Sequence, residues 1–174
     1  QFGLAFDEWG NRFLSWNTIP VRHEVFPDAY LTRRKNIPVT DVLADLLPPG
    51  DSGEVHPLTP PPRVFNNESS HHFNALAGLT VYHGTALGPA YRGNVFVGES
   101  LLNVVHRRVL VSSGVSFVAK RAETGTEFLR SRDPWFHPVN FATGPDDCLY
   151  IADFHRELVE HPDFVPREMR ERLD

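Results

Sequence analysis

The amino-acid sequence predicts an all-β fold, namely a β-propeller fragment of about three four-stranded blades. Residues 2–17, 74–100 and 139–153 repeat one layout: an apolar strand, a polar turn and a second apolar strand that ends in a polar residue. Repeated hairpins of this kind are typical of propeller blades. Since a blade takes roughly 40–50 residues, the 174 residues of the chain correspond to three or four blades.

The turns support the hairpin interpretation. Gly10 ends the polar run DEWG in the first segment and can supply the positive φ that tight hairpins need. The run GPDD, residues 144–147, is the corresponding turn of the third segment. The second segment continues through NVVHRRVLV and VSFVAKRA, two strand-like runs split by a Ser-Ser-Gly turn. Together they predict a complete four-stranded meander.

Two stretches do not fit the repeat. Residues 27–70 are rich in proline and are predicted to be a long irregular insertion, in which VTDVLADLL is one short helix capped by Thr40 or Asp41. Residues 155–174 have a helical pattern and are predicted to form a short C-terminal helical tail. The chain, residues 1–174, is therefore predicted to be a single partial propeller domain.

Composition and charge argue against several function classes. Hydrophobic residues make up 41% and charged residues 22%, as in ordinary globular domains. No run approaches the ~20 apolar residues of a membrane span, and the first residues do not resemble a signal peptide. A net charge of −5 without a basic stripe argues against nucleic-acid binding. The single cysteine, Cys148, permits no internal disulfide; its apolar surroundings predict that it is buried.

Several phrases of the sequence resemble a known family. RGNVFVGES, DPWFHPVN and HRELVEHP resemble the propellers classed as membrane-bound dehydrogenases in planctomycete-type (PVC) bacteria, which are similar to quinone-dependent sorbosone and soluble glucose dehydrogenases. The resemblance covers nearly the whole chain. It implies a periplasmic, cell-surface or secreted protein that oxidises a small sugar or alcohol with pyrroloquinoline quinone. Family members often carry a haem-binding CxxCH module, but this chain has no CxxCH and so cannot attach a c-type haem.

A propeller gathers defined positions of every blade at one face. The second strands are expected to end there, and the loops after them and the entries to the first strands emerge there too. Oxidation of a hydroxyl by a quinone needs a general base and cations for the quinone carboxylates, and histidine and arginine suit these roles. The base candidates are His23, His72, His137 and His161; the cofactor-binding candidates are Arg22, Arg156, Asn17, Glu99, Asp153 and Trp135. Each could instead hold a turn or pair with a neighbour.

Three further signals leave alternatives open. The turn residues Asp7, Asn11, Asp146 and Asp147 could bind calcium or form Asx turns. Trp9, in an exposed turn, is the strongest candidate for an aromatic ring on which a sugar stacks, although tryptophan more often packs between blades. His71 and His72 have a spacing that matches no zinc pattern.

The function of the chain also has alternatives. It could be a non-catalytic propeller module that binds a glycan or a protein, or a scaffold whose site lies on other blades. Three blades enclose less than half of a ring, so the isolated chain is expected to have no dehydrogenase activity. The remaining propeller blades or a partner chain are expected to cover its two open faces.

Overall fold

The structure is a computed structural model that describes residues 2–31, 33, 36, 38, 41–59, 71–157, 165 and 171. Almost all of its regular secondary structure is β. In chain order the elements are β1 (Gly3–Phe6), β2 (Arg12–Ser15), β3 (Arg22–Glu24), α1 (Asp28–Leu31), β4 (Leu43–Asp45), β5 (Leu76–Val81), β6 (Val95–Glu99), β7 (Val104–Ser113), β8 (Ser116–Arg121), β9 (Leu129–Arg130), β10 (Pro138–Thr143) and β11 (Leu149–Asp153).

The strands form three antiparallel sheets. The first has the order β1-β2-β3-β4, the second β5-β6-β7-β8 with β9 also on β7, and the third is the hairpin β10-β11. In each sheet, neighbouring strands in the chain pair with each other, which is the meander of a propeller blade. The β structure predicted for residues 2–17, 74–122 and 139–153 is therefore confirmed, including the hairpin turns between β1 and β2 and between β10 and β11.

The first strands of the three sheets lie side by side. β5 contacts β1 on one side and β10 on the other. The approach is close: a Cβ atom on Gly3 would lie 2.7 Å from the backbone of Gly78, and one on Gly78 would lie 2.7 Å from the backbone of Asn140. The sheets therefore fan out from a common line of inner strands. This arrangement confirms the predicted fold, a β-propeller fragment.

The hairpins share a direction, so the molecule has two distinct ends. At one end, which we term the site end, the strands β2, β6 and β11 finish. There the amide of Leu76 donates a hydrogen bond to Asn17 O at 3.1 Å, and Ser100 Oγ donates one to Pro138 O at 2.9 Å. At the other, the turn end, the hairpin turns meet, and Thr85 Oγ1 donates to Asp147 Oδ2 at 2.6 Å. Contacts between neighbouring blades thus fix both ends.

The core fills the spaces between the blades. One cluster joins the first and second sheets and contains Phe13, Val21, Leu46, Leu79, Val81, Val95 and Ala119. Another joins the second and third sheets and contains Tyr82, Phe96, Val105 and Phe141. The opposite face of β1 has no such cover among the described residues: Phe2, Leu4 and Phe6 alternate along it, each about half exposed. We term these three residues the β1 stripe.

The helix predicted for VTDVLADLL is wrong. Leu43–Asp45 forms β4, which pairs antiparallel with β3 and completes the first blade. Asp41 does not cap a helix; its Oδ1 accepts a hydrogen bond from Leu43 N at 2.9 Å in a turn. The stretch predicted to be an irregular insertion therefore supplies the outermost strand of a blade, because pairing with β3 outweighs the local helical preference.

The prediction that Cys148 is buried is also wrong. This residue is exposed, because it lies in the β10–β11 turn before β11 begins, where its amide donates to Asp146 Oδ1 at 3.2 Å. A hydrogen bond with Asp146 raises the pKa of the Cys148 thiol. Most of the predicted C-terminal helical tail lies outside the described residues. In the part of the chain that is described, no helix is long and apolar enough to cross a membrane.

Candidate functional site

The third blade brings three of the predicted residues together at the site end. Asp153 ends β11, and its Oδ1 accepts a hydrogen bond from His137 N at 2.8 Å. The buried His137 ring lies between two carbonyl oxygens: its Nδ1 is 2.6 Å from Ser100 O and its Nε2 is 2.9 Å from Arg156 O. Both ring nitrogens are thus occupied by main-chain partners. His137 joins neighbouring blades, and its ring has no nitrogen facing a substrate.

A histidine that was not among the base candidates has the geometry of a base. The exposed ring of His155 approaches Asp153 Oδ2 through Nδ1 at 3.2 Å. If Nδ1–H donates to the carboxylate, the lone pair of Nε2 points away from Asp153 and can accept a proton. The Trp135 ring lies 5.5 Å from the His155 ring, centroid to centroid. Asp153 and His155 are two residues apart, and along an extended chain this spacing puts two side chains on the same face. That spacing is the signal in the sequence from which the pair could have been predicted.

Arg156 follows the pair and is exposed. Its guanidinium lies 5.6 Å from the centre of the Phe154 ring, and it forms no ion pair with any described residue. Its amide donates to Trp135 O at 3.2 Å, which fixes the loop beside the inner strand. The structure therefore places Trp135, Asp153, His155 and Arg156 in one group, which we term the dyad site.

Glu99 has a different environment. Its carboxylate is fully buried and accepts hydrogen bonds from the backbone amides of Asn74 (3.0 Å), Ala75 (3.0 Å) and Leu101 (3.2 Å). Such bonds hold the loops that enter β5 and leave β6. The Glu99 carboxylate therefore stabilises the loops at the site end. A cofactor could bind this carboxylate only by displacing the amides that enclose it.

His72 lines a small pocket between the first two blades. The pocket has a volume of about 260 Å³ and is also lined by Thr18, Ser52, Gly53, Phe73 and Asn74. Asn17 lies next to it at the site end, with its carbonyl bonded to Leu76 N. His72 and Asn17 therefore belong to the first and second blades, apart from the dyad site on the third.

Two predicted residues lie within the first blade. Arg22 is bonded to Asp45 across the β3–β4 pair, and its guanidinium lies 4.7 Å from the Trp16 ring centre. His23 is buried beside Phe13, with its Nδ1 3.0 Å from Ser116 Oγ. Burial lowers the pKa of His23. Neither residue lies in the dyad site, and His161 lies outside the described residues.

The turn carboxylates do not fit a calcium site. Asp7 accepts hydrogen bonds from Trp9 N at 2.9 Å, Asn11 N at 2.8 Å and Asn11 Nδ2 at 2.7 Å, which is an Asx turn. Asp147 accepts one from Thr85 at 2.6 Å. Among the residues described, no three His, Cys, Asp or Glu side chains lie close enough together to hold a metal ion.

A network of buried charged side chains is centred on β7 and β8 of the second blade. No motif in the sequence indicates it. His106 Nδ1 lies 2.5 Å from Glu127 Oε2, and Arg121 donates to Glu127 Oε1 at 2.5 Å. The neighbouring Arg108 donates to Asp51 Oδ2 at 2.6 Å. Burial lowers the pKa of His106 to about 4, although Glu127 acts in the opposite direction. Burial alone would raise the pKa of Glu127, but the hydrogen bond from His106 leaves it lowered.

The network predicts a loss of stability in mild acid. The unfolded chain binds a proton at His106 near pH 6.5 and the folded protein only near pH 4, so unfolding takes up a proton between these values. The free energy of unfolding should therefore fall by about 3 kcal/mol as the pH drops from 7 to 4, and protonation of Glu127 below its unfolded pKa should lower it further. Urea unfolding measured across this range checks the expectation. In His106→Gln, most of the decrease in the free energy of unfolding above pH 5 should disappear. An unchanged decrease in this variant would show that protonation of His106 is not its cause.

Comparison with known proteins gives a family but no function. Residues 1–174 match the family described as "Domain of unknown function (DUF7133)". The chain belongs to this family. No curated protein matches the DUF7133 chain. A solved structure from Thermus thermophilus, described as an oxidoreductase (glucose dehydrogenase), is similar with 15% identity and a TM-score of 0.42, over 87% of this chain and 36% of that one. The DUF7133 chain thus spans about a third of the length of that structure.

Proposed function

We propose that the DUF7133 chain is part of a propeller oxidoreductase that oxidises a hydroxyl group of a small sugar or alcohol, with a quinone as electron acceptor. The observation that carries the proposal is the Asp153–His155 pair, exposed at the site end and 3.2 Å apart. The sequence phrases that resemble quinone-dependent dehydrogenases support the same reaction class and an exported location. The remaining blades would supply the rest of the central site.

In this proposal His155 is the general base. Nδ1–H donates to Asp153, which fixes the tautomer and stabilises the imidazolium that forms when Nε2 takes the hydroxyl proton. Asp153 is itself held by His137 N at 2.8 Å, so the carboxylate cannot turn away freely. When bound, a quinone would supply the two-electron acceptor that oxidation of the carbon bearing the hydroxyl requires.

Two neighbouring side chains fit the substrate and the quinone. The exposed ring of Trp135, 5.5 Å from the His155 ring, offers an apolar face against which a sugar ring or a planar quinone can stack. The guanidinium of Arg156 is exposed and can donate two parallel hydrogen bonds to a carboxylate of pyrroloquinoline quinone. These donors suit part of that cofactor, and the other carboxylates would be bound by other blades.

Replacing the base is expected to reduce turnover. His155→Gln and Asp153→Asn should each lower the rate of dye-linked sugar or alcohol oxidation by about 100-fold or more, measured in the full-length protein loaded with pyrroloquinoline quinone. The matched control is His71→Asn, which removes an exposed histidine at a φ of 62° that asparagine tolerates. The control should retain activity. Full activity in both dyad variants would refute the role of the pair, and a loaded wild type that oxidises no sugar or alcohol would refute the proposed function.

A further inference from the structure

A second pocket lies at the turn end, on the opposite side of the molecule from the dyad site. It has a volume of about 400 Å³, within the range of small-molecule sites. Its apolar part consists of Val81, Leu110 and Phe117. The polar and aromatic part comes from the β1–β2 turn and the β5–β6 loop: Asp7, Glu8, Trp9, His83, Pro89, Arg92 and Gly93.

Trp9 is the most exposed large side chain of this pocket. Its side chain is 88% exposed, so burial of the indole contributes little to folding. The turn that carries it is nevertheless well defined: the Asp7 carboxylate accepts hydrogen bonds from Trp9 N and Asn11 N, and Gly10 has a φ of +83°. A defined turn thus presents an apolar ring to solvent beside a pocket.

The polar side chains of the pocket hold one another in place. Arg92 bonds to Glu8 and also donates to His83 O at 2.5 Å. His83 Nε2 lies 3.0 Å from Phe6 O, and its Nδ1 is 3.8 Å from Glu8 Oε1. These bonds use two of the five N–H groups of the Arg92 guanidinium. Glu8 Oε2 accepts no hydrogen bond from the residues that the structure describes. The pocket therefore offers both donors and acceptors.

We infer that this pocket binds a neutral saccharide. A pyranose ring has an apolar C–H face, which the indole of Trp9 can cover, and hydroxyl groups that both donate and accept hydrogen bonds. The charges of Glu8 and Arg92 compensate each other, and the carboxylate oxygens of Asp7 accept hydrogen bonds within the β1–β2 turn. Together these three side chains give the lining one net negative charge, which disfavours an anionic ligand. The saccharide site is separate from the dyad site and does not depend on the proposed oxidation.

The test is calorimetric titration of the full-length protein with cellobiose, maltose and xylobiose. At least one of these neutral disaccharides should bind saturably. Trp9→Ala should weaken that binding by about tenfold or more, the loss expected for one aromatic contact. Tyr30→Ala is the matched control, since Tyr30 is an exposed aromatic residue outside both this pocket and the dyad site, and it should leave the affinity unchanged.

Each other outcome would overturn the inference. It fails if none of the three disaccharides binds saturably, if Trp9→Ala binds as tightly as the wild type, or if only Trp135→Ala loses binding, which would place the sugar at the dyad site. Circular dichroism and the melting temperature show whether the variant folds, and Trp9→Phe, which keeps an aromatic ring, should retain most of the affinity. Dye-linked activity does not enter this result, so failure here leaves the proposed oxidation standing.

Discussion

Glu127→Ala is expected to lower the free energy of unfolding by about 3 kcal/mol. Glu127 has no exposed side-chain surface, and it accepts hydrogen bonds from His106, Arg121 and the amide of His56, the last at 3.0 Å. Removing the carboxylate leaves these donors without their acceptor, and the Arg121 charge is then largely buried without its partner. The loss should exceed what the net contribution of one hydrogen bond would give. Urea unfolding at pH 7 measures it.

The control for Glu127 is an ion pair at the surface. Glu8 and Arg92 are both about half exposed, and exposed pairs contribute at most about 1 kcal/mol. Glu8→Ala should therefore change the free energy of unfolding much less than Glu127→Ala does. Equal losses in the two variants would mean that the buried network does not hold the second blade together.

Gly78→Ala is expected to cost about 3 kcal/mol of stability, from two separate causes. Gly78 has a φ of +64°, which strains any L-residue by roughly 1 kcal/mol. In addition, its new Cβ would lie 2.7 Å from Asn140 Cα and from Val139 O. These are backbone atoms, so the inner strands of two blades would have to separate, and overpacking of this kind costs about 1–3 kcal/mol.

A second glycine separates the two causes. Gly114 has a φ of +59°, but a Cβ there meets no atom within 4 Å. Gly114→Ala should therefore show only the conformational cost, about 1 kcal/mol. Denaturant unfolding of the two variants gives the difference, which measures the steric contact between β5 and β10. If Gly114→Ala is as destabilising as Gly78→Ala, then β5 and β10 accommodate the Cβ atom at position 78 without a steric cost.

The blade hairpins are predictable because their signals are local. Alternating apolar residues around a glycine turn determine β1 and β2, for example, wherever the rest of the chain lies. β4 is not predictable in this way, because three residues, Leu43–Asp45, carry too short a pattern to outweigh a helical one. Only its pairing with β3, far back in the sequence, makes it a strand. The burial predicted for Cys148 is wrong for a similar reason: the apolar run around it does not show where the turn ends.

The candidate site is only partly predictable. The gathering of strand ends at one end of the molecule follows from the repeat, and in the structure Asp153 and Trp135 lie at that end. Which histidine could act as a base depends instead on the partners of each ring nitrogen. His137 meets two carbonyl groups and His155 one carboxylate, and main-chain partners cannot be inferred from spacing. The pairing of His106 with Glu127 likewise depends on how the loop before β9 folds back.

The outer edges of the blades affect how copies of the chain can associate. An unpaired strand edge is a template for adding strands from another molecule, and short edge strands weaken that tendency. The first blade ends in β4, with three residues, and the outer edge of β7 is divided between β8 and the two-residue β9. Edge-to-edge pairing through β4 and β9 is therefore disfavoured. The β1 stripe of Phe2, Leu4 and Phe6 exposes an apolar surface instead, and a further blade or a partner chain would cover it face to face.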